Sequence, residues 1–354
     1  MLEKVIEQIN ERNAEAMRQA EQHLDQLTKP PGSLGKLELL TIQLAGITGD
    51  NQTTFSDKRI VLMAADHGVA KEGVSAFPQE VTEQMVYNFL RGGAAINVIA
   101  KQTGAQVVCV DIGVAADFGD TAGLVHKKVA YGSNNMRREP ALSREQARQA
   151  LLVGIELAFE LIADGADLLA TGEMGIANTT TSSAVLVALT GAPVMETVGQ
   201  GTGVTTEGIA HKARVIEESI ALHQPNPQDV YDTLHKVGGL ELCGLAGLIL
   251  GAASKSVPIV IDGFISTVAA LCAARICPNT KQYMIASHRS AEPGHDLALS
   301  ELGLSPIIDG QMRLGEGTGA ALLFPMIDSI QAIMREMATF ASAGVSGKEA
   351  TSDG

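Results

Sequence analysis

Apolar side chains recur at helical spacing near the start of the chain. Leu2, Val5, Ile6, Ile9, Met17, Leu24 and Leu27 are separated by charged residues, which predicts an amphipathic helix over 2–26. The run Lys29-Pro30-Pro31-Gly32-Ser33-Leu34-Gly35 ends it, because paired prolines bar helix continuation and glycines allow sharp turns. A second helix is predicted over 34–47, and a long last helix, carrying Pro325, over 319–342. After Ala343 the residues turn small and polar, so the tail is expected to fray.

The middle of the chain alternates differently. Short, nearly continuous apolar runs at 59–65, 106–110, 167–170, 257–261 and 283–286 are separated by helical stretches. Such runs predict strands of a parallel sheet covered on both faces. Each is followed by polar or glycine residues: Asp66-His67-Gly68, Asp111-Ile112-Gly113, Thr171-Gly172-Glu173-Met174-Gly175, Asp262-Gly263, and Ser287-His288-Arg289-Ser290. Asp and Gly are also ordinary turn formers. Five such loops at the carboxyl edge of one sheet, where open parallel sheets bind ligands, predict one pocket built from many loops. The expected fold is therefore α/β, a doubly wound, mostly parallel sheet domain over 53–319. The chain ends, 1–52 and 320–354, are expected to form a small helical domain.

Composition narrows the function. The 354 residues are 45% apolar, enough for a large core, and 3% aromatic with no Trp, which leaves few base-stacking platforms. A net charge of −14 argues against nucleic acid or an anionic membrane as the main partner, though not against one small anion held locally. The four cysteines (Cys109, Cys243, Cys272 and Cys277) lie in apolar surroundings without a CxxC pair, which predicts buried reduced thiols and a cytoplasmic address. The charged N-terminus does not read as a signal peptide, and the apolar stretches near 241–253 and 256–277 are broken by charges, so no membrane span is expected.

Three glycine-rich segments can carry chemistry. In Arg313-Leu314-Gly315-Glu316-Gly317-Thr318-Gly319 the glycines can turn backbone N–H groups toward an anion at a helix start. Glu316 inside that loop is awkward beside an anion unless it abstracts a proton; the alternative is a helix-start Glu serving the dipole. The segment from Thr171 to Thr181 supplies a second anion site through Gly175, Asn178 and Thr179, and a second carboxylate, Glu173. Capping accounts for Asn178 and Thr179 but not for Glu173. The third, Gly199-Gln200-Gly201-Thr202-Gly203, precedes Lys212, a candidate cation for a phosphate or carboxylate. The histidines His67, His288 and His295 are not spaced as metal ligands, and neither a serine-hydrolase elbow nor a P-loop is present, so no metal and no cofactor are expected.

The motif at 29–35, Ala65-Asp66-His67-Gly68-Val69, the segment 172–180, Ile261-Asp262-Gly263-Phe264, Ser287-His288 and the loop 313–319 follow one another in this order. Together they resemble the nicotinate-nucleotide:dimethylbenzimidazole phosphoribosyltransferase family of cobalamin nucleotide-loop assembly, over about residues 27–325. The resemblance implies transfer of a 5-phosphoribosyl group from nicotinate mononucleotide to 5,6-dimethylbenzimidazole, giving α-ribazole 5′-phosphate and nicotinate in a homodimeric enzyme. It makes Glu316 the base. Glu173, Gly175, Asn178, Thr179, Gly201, Lys212, Ser290, Gly315 and Gly317 become substrate-binding residues, and Phe77, Pro78, Gln84 and Met85 surround the benzimidazole. Two other readings stand beside it. A dinucleotide-dependent oxidoreductase lacks an early GxGxxG with an acidic residue further on, and a non-catalytic nucleotide carrier gives no reason for two pocket carboxylates.

Overall fold

In the computed structural model, which describes residues 2–346, six parallel strands form one sheet. They are β1 (Lys58–Ala65), β2 (Ala105–Gly113), β3 (Val125–His126), β4 (Leu168–Met174), β5 (Ile259–Ile261) and β6 (Met284–Ala286), in the order β3-β2-β1-β4-β5-β6. Every strand pair is parallel, so the sheet is parallel throughout. Burial of all eight β1 residues fits a strand with helices on both faces. Strand order reverses between β1 and β4, so the loops after these two strands leave a crevice at the carboxyl edge.

Compactness divides the chain into two units. One takes in the chain up to Asn10 together with Ser56–Leu323, and includes the sheet. Its best-packed layer joins the helices Arg144–Ala163 and Leu240–Ser254. The first starts at a capping box, in which Ser143 Oγ accepts the Gln146 N–H and the Gln146 side chain accepts the Ser143 N–H. The second is buried from Leu240 to Ala253. Their backbones touch at glycines: a Cβ on Gly247 would overlap the Leu151 carbonyl, and one on Gly154 the Gly244 carbonyl. Gly247→Ala is expected to cost about 3 kcal/mol, the upper end of overpacking penalties, because the obstacle is backbone and cannot rotate away. Urea unfolding of the variant checks this; a midpoint equal to wild type contradicts it.

The other unit comprises Glu11–Phe55 and the chain from Phe324 on. Ala16, Ala20, Leu24, Leu27, Ala45 and Met334 form its core. The motif at 29–35 is fixed here by a buried ion pair. Lys29 Nζ lies 2.7 Å from Glu38 Oε1, and the Glu38 carboxylate also accepts the N–H groups of Gly32 and Leu34.

Two local expectations need adjusting. The N-terminal helix is two helices, Leu2–Glu7 and Ala14–Gln26, because Asn13 caps the second by accepting the Ala16 N–H and gives its own N–H to Gly46 O. The last long helix spans Thr318–Glu336 with Pro325 inside, and a separate turn follows at Phe340–Ala343. The tail expected to fray lies mostly outside the described residues.

Candidate active site

A cavity of about 210 Å³ opens at the carboxyl edge of the sheet, lined wholly by residues of the sheet unit. Five connections build its polar wall: the end of β4 with the start of the helix Asn178–Thr190, the turn at 199–203, the turn after β5, the loop after β6, and the loop before the helix Thr318–Glu336. Phe77 and the helix Val81–Leu90 supply an apolar wall, on which Val81 and Met85 lie one turn apart.

Glu316 lines the cavity with its backbone in the left-handed region, φ 63°. That conformation strains a residue with a Cβ and persists only where the surroundings enforce it. Asp262 is the enforcer. Its buried carboxylate accepts the N–H groups of Gly317 (3.0 Å), Gly319 (2.8 Å) and Ala320 (3.1 Å), so the protein's own anion fills this helix start. The glycine loop therefore holds Glu316 rather than cradling a phosphate through these amides. Gly317 serves packing, since a Cβ there would come 2.6 Å from Ile60 Cγ2. Among the described residues one donor steers Glu316: the Ile96 N–H in the first turn of the helix Ala95–Gln102, 3.4 Å from Oε2. Burial, opposed by that donor and reinforced by Asp262, holds the Glu316 carboxyl above the usual glutamate range.

Glu173 belongs to β4 rather than to the loop after it, paired beside Met63 of β1. Burial, together with the charges of Asp262 and Glu241, pushes its carboxyl up to about 8. At neutral pH it is a neutral acid that can donate a hydrogen bond. Asn178 Nδ2 donates to its Oε2, and Gly315 leaves room for its Oε1, which a Cβ would overlap.

A cationic corner adjoins the cavity. Lys212 is buried behind Thr179, with Nζ donating to Thr179 Oγ1 at 2.7 Å. Among the described residues no carboxylate lies within 4 Å of it; burial pulls it down to about 8, and Glu292 partly opposes this. The 199–203 turn is fixed from two sides, as Gly201 N–H donates to Glu292 Oε1 (3.0 Å) and Arg313 donates to Gly201 O (2.8 Å). Ser290 lines the cavity, its N–H donating to His295 Nδ1 at 2.7 Å. His295 Nε2 then donates to Thr267 Oγ1, and the Thr267 hydroxyl to Gly263 O. Burial holds His295 neutral, down to about 3, which agrees with these bonds.

Of the residues expected from sequence, Glu316, Glu173, Gly175, Asn178, Thr179, Ser290, Gly315, Phe77 and Met85 meet at this cavity. Lys212 stands behind it, and Gly201 lines the adjoining open cleft with Phe77 and Arg313. Pro78 and Gln84 are exposed and do not line it. His288, Glu292, Thr202, Arg313 and Phe264 line it without having been singled out as site residues. For Arg313, Phe264 and His288 the signal was membership of the motifs at 313–319, 261–264 and 287–288. The donor from Ile96 is a backbone group and leaves no mark in the sequence.

A phosphoribosyltransferase family model (DBI_PRT) matches residues 9–345. The chain is 56% identical over 349 residues to the nicotinate-nucleotide–dimethylbenzimidazole phosphoribosyltransferase of Chloroflexus aggregans, covering 99% of each protein. It is 52% identical to the protein of the same name from Geobacter sulfurreducens, covering 98% of each. The crystal structure of the enzyme of that name from Thermus thermophilus matches with a TM-score of 0.90 at 43% identity, over 95% of this chain and 100% of that one.

Proposed function

The chain belongs to the phosphoribosyltransferase family, and from that premise we propose that its cavity performs the reaction for which its relatives are named, with Glu316 as the base. The 5-phosphoribosyl group of nicotinate mononucleotide passes to 5,6-dimethylbenzimidazole, as cobalamin synthesis requires. The donor's pyridinium nitrogen takes back the bonding pair and leaves as the neutral pyridine nitrogen of nicotinate, so departure needs no general acid. Attack makes the benzimidazole cationic and its remaining N–H strongly acidic. A carboxylate against that N–H takes the proton as the new bond forms.

The observation that carries this reading is the Glu316 carboxylate, held at the cavity wall in a strained backbone with one long backbone hydrogen bond. Attack opposite the leaving group converts a β-linked donor into an α-linked product without a covalent intermediate. The apolar wall of Phe77, Val81 and Met85 suits a flat aromatic acceptor. Neutral Glu173 adds no charge against an anionic donor at neutral pH. Mixing the two substrates tests the reading: nicotinate is released in step with ribosylated base. A protein that binds both and releases none is a carrier.

Lys212 is the donor's counter-charge. A buried ammonium bonded to one hydroxyl gains a partner when phosphate arrives. Lys212→Ala is expected to raise KM for nicotinate mononucleotide about 10- to 100-fold, the equivalent of one charge-assisted hydrogen bond, with a smaller effect on kcat. Initial-rate kinetics check this, and an unchanged KM contradicts it.

Two further features belong to this reading. A homodimer fits the exposed apolar side chains of Phe77, Val98 and Leu314, and sedimentation equilibrium tests it. A cytoplasmic address fits four buried, unpaired thiols.

A further inference from the structure

Behind the cavity lies a buried ionic pair that the reaction above does not use. His67, at the carboxyl end of β1, and Glu241, in the first turn of the helix Leu240–Ser254, are both fully buried. His67 Nε2 lies 3.0 Å from Glu241 Oε1, and Nδ1 lies 3.0 Å from Thr181 Oγ1 on the helix Asn178–Thr190. Two glycines make room for the pair. A Cβ on Gly175 would come 3.1 Å from His67 Nε2, and one on Gly239 would come 2.7 Å from Glu241 Oε2. Gly175 is also a wall residue of the cavity, so the imidazole backs directly onto the turn between Glu173 and Asn178.

The charges around this point are one-sided. Asp66 faces His67 from its own strand end and Glu241 from the helix Leu240–Ser254. Glu173 feels Glu241, Asp262 after β5 and Glu316 before the last long helix, while Asn178 hydrogen-bonds it. Three bases meet these carboxylates: His67 contacts Glu241, His288 Nδ1 lies 3.9 Å from Asp262 Oδ1, and Lys128, paired with Asp111, acts on Asp66.

We propose that His67 and Glu241 are positioning residues for the transferase reaction: a buried His–Glu pair that braces the Gly175 turn from behind and adds the Glu241 charge to those around Glu173. A buried pair of this kind is a costly route to stability alone, which favours a role in specifying the site. Burial works against the charged form of His67, but the Glu241 and Asp66 carboxylates outweigh it and hold the imidazole above the usual histidine range. The kinetic half of the proposal rests on the reading of Glu173 as a neutral hydrogen-bond donor.

Two measurements test it. In a ¹⁵N-histidine NMR pH titration, one of the eight histidines is expected to keep protons on both ring nitrogens above the pH at which a free histidine loses one, and its signals vanish in His67→Gln. A titration in which no histidine does so overturns the pair, whatever the reaction proves to be. In Glu241→Gln, Glu173 loses a neighbouring negative charge and ionises more readily. In a Lys212→Arg background, where the counter-charge does not titrate in this range, the rise in KM for nicotinate mononucleotide on the alkaline side is then expected at lower pH than with Glu241 intact. If Glu241→Gln does not fold, the double variant His67→Gln/Glu241→Gln carries this measurement with the same direction. An unshifted alkaline limb in a folded variant overturns the kinetic role and leaves the NMR result standing on its own.

Discussion

Glu316→Gln is expected to lower kcat by about 10²- to 10⁴-fold, the range for losing a positioned general base. KM for nicotinate mononucleotide is expected to change little, since the donor's counter-charge sits at Lys212. Glutamine preserves size and can still accept the Ile96 N–H, so the loop keeps its form and only proton acceptance is lost. The pH dependence gives a second signature. Glu316 acts ionised, so the wild-type rate falls as pH drops through its pKa, which burial holds above the ordinary glutamate value. In the glutamine variant that acid limb is absent. Stopped assays of nicotinate release from pH 5 to 8 measure both, and a wild-type rate across this range removes Glu316 from the mechanism.

The second large effect is expected at Asp262, which does not touch the proposed proton transfer. Asp262→Ala leaves the N–H groups of Gly317, Gly319 and Ala320 without their shared acceptor in a buried place. Each orphaned donor costs about 1–3 kcal/mol, so a loss of about 3 kcal/mol or more is expected. The left-handed backbone at Glu316 loses its enforcement at the same time, and kcat falls with stability. Asp262→Asn is the informative control. Its Oδ1 can still accept from Gly319 and Ala320, while its amide group meets the Gly317 N–H in place of an acceptor. The expected stability loss is intermediate. Chemical denaturation checks the order wild type, Asn, Ala; equal stability of all three contradicts the loop's dependence on this carboxylate.

The sheet was legible because strands buried on both faces are written as continuous apolar runs, and all five expected runs are strands. Their ends were less so. Thr171 and Glu173 resemble loop residues, but pairing with Val61 and Met63 of β1 keeps them in β4. Tertiary pairing overrides local preference there. β3 is two residues long, too short to show any period, and exists because Val110 and Asp111 offer it a partner. The break between the first two helices was hidden because Ile9 keeps the apolar spacing, while the signal lies in the Asn13 cap. Within the site, glycines next to a carboxylate drew attention to Glu316 and Glu173, and both line the cavity. They misled about the anion, because a sequence does not reveal that Asp262, 55 residues upstream of Gly317, reaches the same amides first. Nor does periodicity show that His67 and Glu241 meet, since that contact is made by the sheet edge and a helix far along the chain.

The most direct measurement is the stereochemistry of the product formed from nicotinate mononucleotide and 5,6-dimethylbenzimidazole, read from the anomeric proton by NMR. One displacement with Glu316 taking the proton predicts the α-ribosyl product alone, formed with one equivalent of nicotinate. A β-linked product would require two displacements and a covalent intermediate, and would contradict the account.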